Sequence, residues 1–300
     1  MPLKRRTIFA AAIAGALVVG FAANQVSLTY QGEESSGNSA TGAQSNTETQ
    51  STPGTQPTAS ASALQNAEPT PTPTRSEPAD RGNASREPEI KIPELPQCIS
   101  GDKQAFHAEL DEWALTFMDH EYGLDASYAP TDLVRVTDAG VEGVGYLREL
   151  VIADLAEMAS AAKQAGSPIA VHSSYRSYGE QKSTYKRWSA QMGSDKAALS
   201  SAREGHSEHQ LGTALDIRGA ERWQAPWKDG DFGQTKAGKW LAENAWSYGF
   251  IMSFPPESQD VTCYKYEPWH FRYVGKDVAR QVHEQGVTLR EFLWAKAHSE

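Results

Sequence analysis

The sequence predicts an α+β domain, a small antiparallel sheet flanked by helices, over residues 98–300. Three observations predict it. Apolar residues recur at helical spacing both early and late in this segment. Short runs rich in β-branched and aromatic residues, bounded by Gly and Pro, fall mostly in its second half. Composition also changes sharply near Cys98, after which about 200 residues carry regular apolar patterning, aromatics and histidines, enough for one core.

The elements follow in order. Phe106, Leu110, Trp113, Ala114 and Phe117 recur at helical spacing and predict an amphipathic helix. Residues 128–134 read as a loop leading into a short extended piece. Leu147, Leu150, Val151, Leu155 and Met158 predict a long helix from Gly145 to Ala165, stopped by Gly166. Residues 168–173 read as a strand, 179–192 as a helix and 214–218 as a short strand. A helix over 235–248 ends at Gly249. Residues 250–254 and 269–274 read as strands, and 276–284 and 289–297 as closing helices. No internal repeat is present, and a monomer is expected.

Upstream, the chain is of another kind. Lys4, Arg5 and Arg6 precede an apolar stretch from Ile8 to Ala23, somewhat short for a bilayer span of about 20 residues. Residues 1–25 therefore read as a cleavable signal peptide or an uncleaved N-terminal anchor. Either places the rest of the chain outside the cytoplasm, so the domain is expected to be secreted or tethered, touching membrane only through this segment. Residues 26–97, exemplified by Thr70-Pro71-Thr72-Pro73-Thr74, hold too little apolar surface to offset ordering entropy and read as a disordered stalk.

A net charge of -10, with no basic stripe interleaved with aromatics, argues against nucleic-acid binding. Cys98 and Cys263 are the only cysteines. In an oxidising compartment they are expected to form one disulfide, two unpaired thiols being the alternative.

Polar chemistry is concentrated in Glu204-Gly205-His206-Ser207-Glu208-His209-Gln210-Leu211-Gly212-Thr213-Ala214-Leu215-Asp216 and in Tyr266-Glu267-Pro268-Trp269-His270-Phe271-Arg272. Catalytic zinc takes three N or O ligands and keeps one position open. His209, Asp216 and His270 could supply that set, with Gly212 letting the chain turn between the first two. Glu267, held near the open position by Pro268, could serve as general base. Such clusters also occur as plain hydrogen-bond networks, and the helical HExxH pattern is absent. Gly205-His206-Ser207-Glu208-His209 fails the GxSxG elbow of serine hydrolases, because His209 stands where Gly is needed.

Taken together, Ser207-x-His209-Gln210-x-Gly212-x-Ala214-x-Asp216 and Glu267-Pro268-Trp269-His270-Phe271-Arg272 resemble the VanY-type D-alanyl-D-alanine carboxypeptidases and the related L,D-carboxypeptidases of the M15 zinc peptidases. Upstream, Ser173-Ser174-Tyr175-Arg176-Ser177-Tyr178-x-x-Gln181 is similar to that family's arginine motif, with Ser174 where Gly often stands. The resemblance covers roughly residues 100–285. It implies a hedgehog or D-Ala-D-Ala peptidase-like fold and Zn2+ on His209, Asp216 and His270. It also implies Glu267 as catalytic base, Arg176 as substrate contact and oxyanion stabiliser, and Gln181 and Ser207 as cleft-lining residues. The implied substrate is a peptidoglycan stem peptide cut at its C-terminal D-amino acid, through a D,D or an L,D bond. A cell-wall endopeptidase, or a zinc-bound peptidoglycan-binding module without turnover, are the other readings. The module would be expected to have lost Glu267 or Arg176, and both are present.

Other residues are discounted. His206 reads as a loop hydrogen bond rather than a substrate contact, and His172 as structural. Trp269 reads as packing that fixes His270. Trp223, Trp227 and Phe232 either wall the cleft or cap the core. His107, His120, His283 and His298 read as surface or helix residues.

Overall fold

Residues 89–299, apart from 229, are described by a computed structural model. The segment read as signal or anchor, and the stalk apart from residues 89–97, lie outside the described residues. Packing is already present at Ile90 and Leu95, which sit against the aromatic cluster of the C-terminal helix.

The first predicted helix does not form. Strands β1 (Lys103–Gln104) and β2 (Tyr122–Gly123) pair in parallel, and an antiparallel bridge joins Phe106 to Phe117. The apolar periodicity between them serves turns instead. Phe106, Phe117 and Tyr122 pack with Trp294, while the carbonyls of Trp113 and Thr116 accept from the Arg272 guanidinium at 2.9 Å. A tertiary cation thus takes backbone acceptors that a helix would need.

Strand β3 (Leu133–Arg135) pairs antiparallel with β4 (Tyr146–Arg148). The predicted helix from Gly145 therefore starts late, as α1 (Glu149–Gln164). Its first turn is given to strand pairing, and Gly145, at φ 90°, makes the turn into β4. Val151, Leu155, Met158 and Ala162 form the buried face of α1, and Gly166, at φ 70°, ends it as expected.

The central sheet is four-stranded and antiparallel. It contains β5 (Ile169–Ser173), β6 (Ala214–Gly219), β7 (Phe250–Met252) and β8 (His270–Tyr273), in the order β5-β6-β8-β7. Between β5 and β6 run α2 (Tyr178–Met192) and the short α3 (Ser194–Ala198). Ser177 begins α2 with a full capping box to Glu180. Then α4 (Lys236–Asn244) precedes β7, α5 (Gln259–Thr262) precedes β8, and α6 (Lys276–Gln285) and α7 (Leu289–Ala297) close the domain. Helix α4 continues as a 3-10 turn to Tyr248, stopped by Gly249 at φ 90°. Among the described residues no helix is long and apolar enough to cross a membrane.

One face of the sheet makes the core. Leu215 and Ile217 of β6 and Phe271 of β8 meet Leu155, Met158 and Phe250. Phe271 is enclosed in the core, so Phe271→Ala removes a large buried side chain and leaves a cavity. Urea unfolding should show a loss of about 3–5 kcal/mol. Cys98 and Cys263 are joined in a disulfide. It ties the start of the packed chain to the end of α5.

Candidate metal centre

The other face of the sheet carries polar residues. In the β6–β8 register Asp216 stands directly opposite His270, and Leu215 opposite Phe271. Side chains alternate along a strand. Leu215 and Phe271 therefore enter the core, and Asp216 and His270 leave together on the opposite face. Opposed residues place Cβ atoms about 4.5–5.5 Å apart.

His209 reaches them from a 3-10 turn, Glu208–Leu211. Gly212 ends that turn at φ 75° and donates its N–H to the His209 carbonyl. A Cβ at 212 would stand 2.9 Å from Arg148 Cγ. Only glycine tolerates both the backbone angle and the approach, and this turn lets the chain double back from His209 to Asp216.

The two imidazoles present opposite nitrogens to Asp216. His209 Nδ1 lies 2.7 Å from the Ser174 carbonyl, which can only accept, so Nδ1 carries the proton and Nε2 faces Asp216 Oδ1 at 3.5 Å. His270 Nε2 donates to the Glu208 carboxylate at 2.8 Å, and Nδ1 faces the same Asp216 oxygen at 3.2 Å. The ligand atoms of His209, Asp216 and His270 lie within 4.8 Å of one another, and all three residues are buried. Two nitrogens and one carboxylate oxygen converging in this way can hold a divalent metal ion with a position left open.

The charges in this cluster are strongly coupled. Burial and the nearby Arg176 push His209 down to about 4, leaving it neutral as a ligand must be. Burial disfavours a charge on His270, but the Asp216 and Glu208 carboxylates outweigh it and raise its pKa. Burial likewise opposes the Asp216 carboxylate, but the two histidines outweigh it and hold its pKa well below the usual range.

A cavity of about 330 Å³ opens onto the cluster. Glu267 and Arg176 line it together with Ser207. Burial pushes Glu267 up to about 8; Asp216 and Glu208 add to the shift, while His270 and Arg176 oppose it. The Arg176 Nε is buried without a hydrogen-bond partner. A planar cation with an unused donor beside a carboxylate is suited to an anionic or developing negative group.

Of the residues read from the sequence, His209, Asp216, His270, Glu267, Arg176 and Ser207 all line this cavity. Gln181 does not. It is 1% exposed on the inner face of α2, and its amide donates to the Ala202 carbonyl at 2.6 Å. It braces a wall-forming residue instead of meeting the cavity, because it lies on the buried face of α2. His206 donates from Nδ1 to the Asp119 carbonyl at 2.7 Å, the loop hydrogen bond expected of it, and it also lines the cavity. The aromatic trio divides. Phe232 is in the core, Trp227 lines the cavity against Trp269, and Trp223 is 86% exposed.

Glu208 and Arg272 gained no role from the sequence, although both stand inside the quoted motifs. Arg272 lies two residues past His270 on one strand, hence on the same face. That period was the available signal. The Glu208 contact to His270 crosses from one motif to the other and leaves no local trace.

A solved structure described as the LdcB L,D-carboxypeptidase is 33% identical to this chain, with a TM-score of 0.55. The match covers 68% of this chain and 92% of that one. Residues 145–276 match the family profile described as VanY, D-alanyl-D-alanine carboxypeptidase. The chain belongs to the VanY family. Every cavity residue singled out above lies inside the matched VanY segment. A VanY D,D-pentapeptidase structure in complex with Zn(II) is 28% identical, with a TM-score of 0.51, covering 60% of this chain and 99% of that one. The Bacillus subtilis protein YodJ, named as a carboxypeptidase, is 38% identical over 60% of this chain and 66% of its own length. The Enterococcus faecium D-alanyl-D-alanine carboxypeptidase is 30% identical over 60% and 57%. The chain thus spans less than two thirds of the length of each of these two relatives.

Proposed function

We propose that this protein is a zinc carboxypeptidase that removes the C-terminal D-amino acid from peptidoglycan stem peptides. The observation that carries the proposal is the convergence of His209 Nε2, Asp216 and His270 Nδ1, with Glu267 and Arg176 on the same cavity. The Zn(II) complex of the VanY relative supports the choice of metal.

The donor set suits zinc, and when bound the ion supplies Lewis acidity toward water and the scissile carbonyl. The chain's own residues do the rest. Glu267 accepts a proton from the attacking water and returns it to the leaving amine. Arg176 donates to the oxygen that gains negative charge, and its guanidinium suits that task because it stays charged and donates in a planar fork. Trp227 and Trp269 wall one side of the cavity and limit water there. The action is proposed to be extracytoplasmic, since residues 1–25 read as a signal or anchor and the wall substrate lies outside the membrane.

Defined tetrapeptide and pentapeptide stems, incubated with the protein and analysed by mass, test this directly. Loss of one D-alanine from the pentapeptide marks a D,D bond, and loss from the tetrapeptide an L,D bond. Chelation should abolish either product and zinc should restore it. No cleavage of either stem by zinc-loaded protein would overturn the proposal.

A further inference from the structure

Beside the metal cluster, on the wall of the same cavity, lies a second set of contacts around Glu208. The Glu208 side chain is only 11% exposed and is held from three directions. Its Oε2 accepts from His270 Nε2 at 2.8 Å and from Ser253 Oγ at 2.6 Å. Its Oε1 accepts from Arg272 Nη1 at 3.1 Å. Arg272 is completely buried and is itself anchored on the Trp113 and Thr116 carbonyls. The His270 ring also stacks on Phe254, with centroids 4.9 Å apart.

We infer that Glu208 is a positioning residue for the metal centre, clamping His270 so that only Nδ1 can meet the ion. The inference rests on the metal reading above and extends it to a residue outside the ligand set. An imidazole carries one proton in its neutral form. Carboxylates face both nitrogens of His270, Asp216 at 3.2 Å and Glu208 at 2.8 Å. Once the Asp216 oxygen serves an ion, only Glu208 is left to accept that proton, at Nε2. His270 is thereby kept in the tautomer opposite to that of His209, whose Nδ1–H goes to Ser174. Neither ring has to choose between tautomers or rotate when the ion arrives. A carboxylate on the far nitrogen also makes the ligating nitrogen more basic, and losing such a partner weakens metal binding about 10–100-fold. Arg272 and Ser253 hold the carboxylate itself in place.

A purely structural role is the competing account, in which Glu208 only neutralises the buried Arg272. The two accounts differ in metal affinity. Zinc dissociation constants would be measured on the intact protein by competition with a chromophoric chelator, for wild type and Glu208→Gln. Activity at saturating zinc and thermal unfolding of the metal-free protein would be recorded alongside. We expect the Glu208→Gln constant to rise about 10–100-fold, with a smaller change in kcat once zinc is saturating. An unchanged constant in a folded Glu208→Gln protein overturns the inference. Should that variant fold poorly, two-bond 1H–15N spectra of zinc-loaded wild type decide instead. One ligating histidine should carry its proton on Nδ1 and the other on Nε2, and two Nδ1–H ligands would overturn the inference. Wild type that binds no zinc overturns the metal reading, and this inference with it, which sets that failure apart from the others.

Discussion

Glu267→Gln is expected to lower kcat about 10²–10⁴-fold while leaving zinc binding intact. The amide keeps the shape of the side chain but has no site to receive a proton from water. Glu267 is not one of the three residues whose ligand atoms converge, so the ion should remain. The cavity by itself favours the neutral carboxyl, with burial pushing the group up to about 8. A bound dication acts in the other direction and favours the ionised form that a base requires. Stopped assays on a stem peptide, with zinc content measured on the same sample, check both halves. Full metal-dependent turnover in Glu267→Gln would show that another group carries the proton.

Replacing Cys98 and Cys263 together by serine is expected to lower stability by about 2–5 kcal/mol, the upper figure reflecting the chain entropy of a loop 165 residues long. Local packing increases what is at stake. Arg290 donates to the carbonyls of Pro96 and Val261 and pairs with the buried Asp119, and Trp294 Nε1 donates to the Glu94 carbonyl. The disulfide and these bonds hold the same two segments against α7. The downstream partner, Cys263, precedes Glu267 by four residues. The double variant should therefore lose activity at a lower temperature than wild type, in step with its melting. Equal melting temperatures for the two proteins would refute a stabilising role.

Much of the fold was legible because its elements are locally consistent. Helices α2, α6 and α7 and the sheet strands fall close to where capping residues, glycine stops and apolar runs place them. Three of the misses share a cause. Residues 106–117 carry helical periodicity, yet the Trp113 and Thr116 carbonyls are taken by Arg272, more than 150 positions away. Residues 146–148 fit a helix, but pairing with 133–135 converts them to a strand. Gln181 sits in a recognisable motif, yet the face of α2 it occupies turns it under the cavity wall. In each case a long-range partner outweighed a local preference.

By itself, the sequence determined which side chains could carry the chemistry, because ligand type and acid–base character belong to the residue and motif order survives without coordinates. His209, Asp216, His270, Glu267 and Arg176 were identifiable in that way. Only the tertiary structure decided how they act together. The strand register sets Asp216 against His270, the Ser174 carbonyl and the Glu208 carboxylate hold the far nitrogens of the two rings, and burial together with neighbouring charges sets the charge states. Those properties depend on distance and on exclusion of water, and neither is encoded in any one stretch of the chain.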